Sequence, residues 1–187
     1  MKRALYIGVM SGTSMDAVDA ALVSIDGENI KTLAHHSNDI PSDLKKQLAE
    51  LCSPSENEIE RCGHLDILVA ELIAKVVNTL LDNENLQAHD ISAIGSHGQT
   101  VRHLPNAPKP FSLQIGNPSH IAHNTNITTI ADFRMADIAA GGQGAPLVPA
   151  FHQAAFQSKD DFRAIVNIGG IANVTLLNAV SNTSDPI

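Results

Sequence analysis

Short apolar runs separated by turn residues dominate the opening of the chain, a pattern typical of β-strands. Residues 4–10 and 18–25 are such runs, and the segment between them contains the turn residues Ser11-Gly12-Thr13-Ser14. Asp26-Gly27 is a strong hairpin signal that precedes a less apolar run at 30–37. We therefore predict three antiparallel strands, of which the first two are joined by a turn rich in glycine and hydroxyl groups.

Two amphipathic helices are predicted next. Ser42 is expected to cap the first helix, whose apolar face carries three leucines. Ser55 and Glu58 have the spacing of a capping box, and apolar residues then recur at three- and four-residue steps. This stripe predicts one long helix that ends near Asn83.

The rest of the pattern alternates strands and helices, which predicts an α/β fold. In chain order it predicts a buried strand at 91–96, an extended proline-rich loop, a short strand at 112–115, a helix from Pro118, a strand at 127–131, a helix from Pro146 to about Phe156, and strands at 164–168 and 172–177. The last two strands flank Gly169-Gly170 and resemble the first strand–turn–strand unit, which indicates a second domain. We predict a first domain at 1–158 and the beginning of a second, truncated domain at 159–187 with a polar, structureless end.

Composition and charge exclude several classes of partner and site. The chain has 187 residues, a formal net charge of −8, 3% aromatic residues and no basic stripe, so we expect no nucleic-acid partner. No segment is apolar enough over a sufficient length to span a membrane, and the run at 4–10 is too short for a signal peptide. Cys52 and Cys62 match no zinc spacing and are expected to be buried or half-buried thiols in helices, as in a reducing cytoplasm. The nine histidines are scattered over different predicted elements, so we expect no transition-metal site.

The segment from Gly12 to Asp19 is a candidate phosphate site. A glycine-containing hairpin turn with two hydroxyl groups offers N–H and O–H donors to an anion, and a nearby carboxylate can hold Mg²⁺. The segment lacks the Gly-Lys-Ser/Thr of a P-loop, and Ser11 lacks the frame of a nucleophile elbow. On these residues alone, an ordinary hairpin turn satisfied by its own Ser and Thr side chains is the alternative.

A second candidate lies at Asp132, Arg134 and Asp137. A carboxylate at the end of a buried strand and beside the glycine-rich loop 141–144 suits a general base, and Arg134 can hold a carboxylate or a phosphate through two hydrogen bonds. The alternative is a structural Asp–Arg pair, with Asp137 as a turn or cap residue.

Three of these segments follow predicted strands directly. They are residues 11–14, 96–100 and 132–137. Because open α/β sheets bind ligands at the carboxyl ends of their strands, we expect the three segments to lie together. Their agreement favours a functional site, with His97 as a substrate contact rather than a metal ligand.

Five strings of the sequence are specific enough to compare with known families. They are YIGVMSGTSMDAVD at 6–19, GSHGQT at 95–100, LQIG at 113–116, DFRMADIAAGGQGAPLVPAFH at 132–152, and NIGGIAN at 167–173. Together they span nearly the whole chain, in order. They resemble the signatures of the anhydro-N-acetylmuramic acid kinases, and the resemblance is specific to that family.

The resemblance implies an actin-like, sugar-kinase (ribonuclease H-like) α/β fold with a mixed sheet, in which ATP lies between two lobes. The residues that match the family's first phosphate-binding segment are Gly12, Thr13, Ser14, Met15, Asp16, Ala17, Val18 and Asp19. Asp137 matches the catalytic base, and substrate contacts are expected at His97, Gln99, Thr100 and Arg134. The implied cofactors are ATP and Mg²⁺.

The implied reaction uses water to open the 1,6-anhydro bond of anhydro-N-acetylmuramic acid while ATP phosphorylates O6. Its products are N-acetylmuramic acid 6-phosphate and ADP, in the recycling of cell-wall peptidoglycan. The resemblance also implies a cytoplasmic protein with a small amino-sugar substrate, no membrane partner and, by analogy, a homodimer.

The sequence departs from the family pattern in two ways. Ala17 stands where the family usually has Gly, which would weaken nucleotide binding if that position needs a positive φ. The phosphate and adenosine motifs of the second lobe do not follow Asn173, so this chain is expected to be an N-terminal part that is inactive alone.

Three other functions stay open at this point. A glycosidase would use Asp132 and Asp137 as its carboxylate pair. An isolated N-terminal lobe would fold but bind its ligands weakly. Another sugar or acid kinase of the same superfamily would act on a different acceptor.

Overall fold

A five-stranded mixed sheet forms the centre of the structure. The computed structural model describes residues 4–27, 29–168 and 172–180. The strands are β1 (Ala4–Ser11), β2 (Ala17–Asp26), β3 (Asn29–Asp39), β4 (Ile91–Ser96), β5 (Gln99–Leu104), β6 (Phe111–Ile115), β7 (Thr129–Ile130), β8 (Arg163–Ile168) and β9 (Ala172–Leu177). The helices are α1 (Ser42–Leu51), α2 (Glu58–Asn83), α3 (Pro118–Thr125), α4 (Phe133–Ala139) and α5 (Pro149–Phe156).

The order of the strands in this sheet is β3-β2-β1-β4-β7. β1, β2 and β3 form the predicted antiparallel meander, whereas β1 pairs with β4, and β4 with β7, in parallel. The carboxyl ends of β1, β4 and β7 therefore lie at one edge of the sheet. The predicted α/β fold class with a mixed sheet is confirmed.

The contacts divide the chain into two compact units, Met1–Ala145 and Pro146–Ile187. In the smaller unit, α5 accompanies the antiparallel pair β8–β9, and His152 Nδ1 lies 2.9 Å from Thr175 Oγ1. Gly169-Gly170 and the polar end at 181–187 lie outside the described residues. The domain boundary between residues 158 and 159 stays a prediction. None of the helices in the described ranges is both long and apolar enough to cross a membrane.

The core of the larger unit lies between the sheet and α2. Val18 and Leu22 point inward from β2 with the two-residue period of a strand, and α2 packs on β2, β3 and α3. Val76 and Leu80 on the predicted stripe of α2 are each at most 1% exposed. Because burial of one such side chain contributes about 1.5–3 kcal/mol, this helix face holds the sheet that carries the site.

Two predicted helix caps are wrong. Pro41, not Ser42, caps α1, and it makes no side-chain cap bond. The capping box from Ser55 to Glu58 does not form, because α2 begins at Glu58 after Asn57, which has a φ of 54°. The Ser55 hydroxyl instead accepts a hydrogen bond from Arg61 at 2.8 Å.

Two other predicted boundaries change. The strand expected at 127–131 is reduced to β7, and α5 begins at Pro149 rather than at Pro146. The end of the long helix at Asn83 and the start of α3 at Pro118 are confirmed. β5 and α4 were not predicted, and both of them carry residues of the candidate site.

Candidate active site

The predicted segments meet where β1, β4 and β7 end. Val9 lies opposite Ser96, and Gly95 lies opposite Ile130, so the three parallel strands end almost level. The His97 N–H donates to the Val9 carbonyl at 2.9 Å and continues this pairing past the end of β4. The segments after Ser11, Ser96 and Ile130 therefore share one edge of the sheet, as the sequence predicts.

The turn between β1 and β2 presents unpaired backbone donors. Met15 has a φ of 53°, its N–H donates to the Gly12 carbonyl at 3.2 Å, and its side chain is 7% exposed. The buried Met15 side chain anchors the turn, while Thr13 and Ser14 are exposed. Within the described ranges, no backbone partner accepts from the N–H groups of Gly12, Thr13 or Ser14. Such a turn suits the oxygens of a phosphate.

Asp16 ends this turn and is held by Lys45 of α1. The Lys45 ammonium group donates to Asp16 Oδ1, and the two form an exposed ion pair. The hydrogen bond from Lys45, followed by one from Ser14 and by the charge of Lys45, lowers the pKa of Asp16. An ionised carboxylate at an open turn is the kind of ligand that Mg²⁺ takes together with phosphate oxygens.

The other residues of the candidate phosphate segment lie in β2. Ala17 pairs with Asp39 of β3 and does not have a positive φ. The backbone at this position therefore does not require glycine. The positive φ of this segment belongs to Met15. Val18 is 1% exposed and belongs to the core, and the Asp19 carboxylate lies 3.3 Å from His35 Nε2.

Gln99 joins two of the predicted segments. It is 1% exposed, and its Oε1 accepts a hydrogen bond from the Ser11 hydroxyl at 2.7 Å. Its Nε2 donates to the Thr100 carbonyl at 3.1 Å. Both polar atoms of Gln99 are thus engaged inside the protein. The Thr100 hydroxyl accepts from Gln114 Nε2 at 3.1 Å.

His97 and Arg134 are in direct contact. Arg134 Nε donates to His97 Nε2 at 2.8 Å, so Nε2 carries no proton and the ring proton is on Nδ1, which donates to the Gly98 carbonyl at 2.8 Å. Burial lowers the pKa of His97, and the charge of Arg134 lowers it further, against the hydrogen bond to Gly98. His97 is therefore neutral, and its ring orients the Arg134 guanidinium group.

Acid should weaken the fold through His97. The pKa of His97 in the folded state lies below its ordinary value of 6.5. Just below pH 6.5, His97 therefore binds a proton more readily in the unfolded chain than in the folded chain. We expect the free energy of unfolding to fall as the pH drops from about 6.5 toward about 5. This decrease should be smaller in His97→Asn than in the wild type. Urea unfolding followed by the fluorescence of Tyr6, the single tyrosine, measures this. The exposed His64 provides the control His64→Asn, and equal acid slopes in wild type and His97→Asn would contradict the prediction.

A glycine-rich loop wraps Asp137. The Gly144 N–H donates to Asp137 Oδ2 at 2.7 Å, and the Gly142 N–H donates to the Asp137 carbonyl at 2.9 Å. A Cβ at Gly142 would lie only 2.1 Å from Asp137 Oδ2, so this approach requires glycine. The Gly144 carbonyl in turn accepts from Arg134 Nη1 at 2.6 Å. Asp137 and His97 are therefore linked through Gly144 and Arg134.

The structural Asp–Arg pair considered for this segment does not form within the described ranges. Arg134 binds His97 and Gly144 instead. Asp132 is exposed and precedes α4 with a φ of 64°, without a side-chain cap bond. Asp137 keeps a second carboxylate oxygen, Oδ1, that accepts no hydrogen bond in the described part of the chain.

A cavity of about 270 Å³ lies beside His97. Its lining includes Ser96, Gly98, Gln114 and Asp66. Asp66 of α2 accepts from the Gly116 N–H at 2.8 Å and from Asn117 Nδ2 at 2.9 Å. Sequence reasoning missed Asp66 and Lys45, because each lies on an amphipathic helix where a polar residue normally indicates only a solvated face. The string at 113–116 was the available signal for Gln114.

Metal-binding side chains are not clustered in the part of the chain that the structure describes. No group of three or more His, Cys, Asp or Glu side chains there could hold a metal ion. Cys52 and Cys62 are free and half-buried, and burial raises the pKa of both thiols. Mg²⁺ needs no such cluster when phosphate oxygens and water supply most of its ligands.

Comparison with known proteins identifies the family of the chain. The sequence model of the anhydro-N-acetylmuramic acid kinase family matches residues 4–184. Proteins with this name from Shewanella pealeana and Shewanella putrefaciens are 56% and 58% identical to the chain, and the alignments cover 95% and 97% of it. They cover 48% and 49% of the relatives, so the chain spans about half the length of the curated relatives it matches.

Among solved structures, one titled "Reductive activator for corrinoid,iron-sulfur protein" is similar with a TM-score of 0.49 and 18% identity, over 94% of this chain and 29% of that chain. The match to the family model extends over nearly the whole sequence and includes every candidate site residue. The chain belongs to the anhydro-N-acetylmuramic acid kinase family.

Proposed function

We propose that the chain is the N-terminal part of an ATP-dependent kinase that opens the anhydro ring of anhydro-N-acetylmuramic acid and phosphorylates O6. The single observation that carries this proposal is the meeting of a turn with unpaired N–H groups and the linked residues His97, Arg134 and Asp137 at one edge of the sheet. The turn suits the phosphates of ATP, and the linked residues suit the sugar.

The turn supplies the phosphate contacts. The N–H groups of Gly12, Thr13 and Ser14 and the hydroxyls of Thr13 and Ser14 bind phosphate oxygens. Mg²⁺, when bound, neutralises phosphate charge, and Asp16 is the residue of this turn that would hold it. The hydrogen bond from Lys45 lowers the pKa of Asp16 and orients its carboxylate.

Asp137 acts as the general base. Its Oδ1 takes a proton from the water that attacks the anomeric carbon, while Oδ2 stays bound to the Gly144 N–H. The bond between the anomeric carbon and O6 breaks, and O6 forms a bond to the γ-phosphoryl group as ADP leaves. The products are N-acetylmuramic acid 6-phosphate and ADP.

Arg134 supplies the positive charge of the sugar side of the site. Nε and Nη1 are held by His97 and Gly144, which leaves the remaining guanidinium N–H groups to bind a carboxylate or phosphate oxygen. The lactyl carboxylate of the sugar is the matching group on the substrate. His97, Gln99 and Thr100 position this part of the site through their hydrogen bonds.

The same proposal assigns the protein to the cytoplasm and to cell-wall recycling, with a homodimer as the assembly by analogy. The half-buried free thiols of Cys52 and Cys62 fit a reducing compartment. Because residues 1–187 span about half the length of these relatives, we propose that these residues alone turn over little or no substrate.

Release of ADP tests the function directly. The test compares the chain alone with a full-length hybrid, in which residues 1–187 are joined to the C-terminal half of the Shewanella pealeana relative. We expect ADP release from the hybrid with Mg²⁺-ATP and anhydro-N-acetylmuramic acid, and little from the chain alone.

Substrate controls separate the competing functions. Hydrolysis of the anhydro sugar without ATP would indicate the glycosidase that uses Asp132 and Asp137. Equal rates with free N-acetylmuramic acid would indicate another sugar kinase of the superfamily. A folded hybrid that releases no ADP would overturn the proposed kinase.

A further inference from the structure

A buried hydrogen bond joins the end of β1, where the turn to β2 begins, to the segment that carries His97. The Ser11 hydroxyl donates to Gln99 Oε1 at 2.7 Å, and the two residues are 3% and 1% exposed. They lie 88 positions apart in the sequence, and Gln99 begins β5 two residues after His97. Because both side chains are buried, the loss of one partner leaves the other without a hydrogen bond.

The direction of this bond follows from the second contact of Gln99. Its Nε2 lies 3.1 Å from the Thr100 carbonyl oxygen, which can only accept a hydrogen bond. The amide nitrogen must therefore face Thr100, and the amide oxygen faces Ser11. The Ala17 carbonyl lies farther from the Ser11 hydroxyl, at 3.3 Å, so the single hydroxyl proton points to Gln99. Gln99 is thus fixed at both ends, to the end of β1 and to β5.

The segment that Gln99 fixes also holds the residues assigned to the sugar. His97 Nε2 accepts from Arg134 Nε at 2.8 Å, and Arg134 Nη1 binds the loop that encloses the candidate base. A shift of residues 97–100 relative to the end of β1 would stretch the bond between Ser11 and Gln99. A ligand that orders one of these two places therefore orders the other as well.

We propose that Ser11 and Gln99 are positioning residues that couple nucleotide binding to sugar binding, an inference that rests on the proposed function. Phosphate bound to the turn after Ser11 orders that turn, and the hydrogen bond to Gln99 extends this order to His97 and Arg134. Because the second ligand then meets a segment that is already ordered, it binds with a smaller loss of conformational entropy. Each ligand therefore raises the affinity for the other by the same factor.

Binding of a nonhydrolysable ATP analogue to the full-length hybrid measures this coupling. Titration calorimetry gives the Kd of β,γ-methylene ATP with Mg²⁺, both without and with saturating anhydro-N-acetylmuramic acid. We expect the sugar to lower this Kd by about 5-fold or more in the wild-type hybrid, in the range of typical coupling between two sites. Gln99→Met retains an unbranched side chain without its amide, and there the sugar should lower the Kd by less than about 2-fold.

A double variant separates coupling from a purely structural role. Ser11→Ala/Gln99→Met replaces both partners by apolar groups, so it should recover part of the Tm that Gln99→Met loses while the coupling stays lost. Thr125→Val in α3 is the control, because it removes another buried hydroxyl, which donates to the Ile121 carbonyl at 2.8 Å. It should lower Tm and keep the coupling. Unchanged coupling in Gln99→Met, or coupling that returns together with Tm in the double variant, would overturn the inference.

The same titrations distinguish this inference from the proposed function. A wild-type hybrid that releases ADP but binds the two ligands independently would overturn the coupling and retain the kinase. Coupled binding without ADP release would retain the coupling and overturn the kinase. A folded hybrid that binds neither ligand would overturn the proposed function and the coupling with it.

Discussion

Replacing Asp137 by Asn in the full-length hybrid should lower kcat by about 10²- to 10⁴-fold, the range of a lost general base. The amide oxygen of Asn can still accept the hydrogen bond that the Gly144 N–H donates to Asp137 Oδ2 at 2.7 Å. The loop therefore keeps its closure while the site loses the proton acceptor. Initial rates of ADP release, with ATP affinity measured in parallel, check the prediction, and ATP affinity should not change.

Asp137→Ala provides the matched variant for this test. It removes both the proton acceptor and the anchor of the Gly142–Gly144 loop, so it should lower kcat at least as much as Asp137→Asn and also lower Tm. A purely structural Asp137 would give a different order, with Asn close to wild type and only Ala impaired. That order would refute the assignment of Asp137 as the base and leave it as the residue that closes the loop.

The main features of the fold could be predicted because they follow from periodic burial. β1, β2 and α2 have clear strand and helix periods, and their inward positions are the buried ones. β5 escaped prediction because one of its two buried positions is Gln99, a polar residue whose burial depends on the hydroxyl of Ser11. A contact between residues so distant in sequence leaves no local pattern. α4 escaped because it is seven residues long and has no side-chain cap bond.

The candidate site was predicted in outline but not in its connections. The rule that ligands lie at the carboxyl ends of strands predicted that these segments meet at one edge of the sheet, and they do. The links between them could not be predicted, since the Arg134–His97 bond and the Lys45–Asp16 pair join elements whose distance in space depends on the whole sheet. Glycine spacing gave one further hint, because Gly142 and Gly144 both enclose the same carboxylate.

Gly98 should be the glycine of this site at which alanine is most harmful to stability. It has a φ of 68°, and a Cβ there would lie 2.5 Å from the Ile115 carbonyl oxygen. This oxygen belongs to the backbone of β6, which pairs with β5, so it cannot move without shifting the hairpin. Gly27 offers a matched control, because it has a φ of 60° with no described atom within 4 Å of the added Cβ.

The two variants separate backbone strain from the clash. Gly27→Ala should lower the free energy of unfolding by about 1–2 kcal/mol through its left-handed φ alone. Gly98→Ala should lower it by a further 1–3 kcal/mol, roughly the cost of overpacking. Urea unfolding followed by the fluorescence of Tyr6 in β1 reports on the unit that contains both glycines. An equal decrease in the free energy of unfolding in the two variants would contradict the prediction. It would mean that the β5–β6 hairpin shifts at little cost to make room for the added Cβ, and that Gly98 does not hold His97 in place for Arg134.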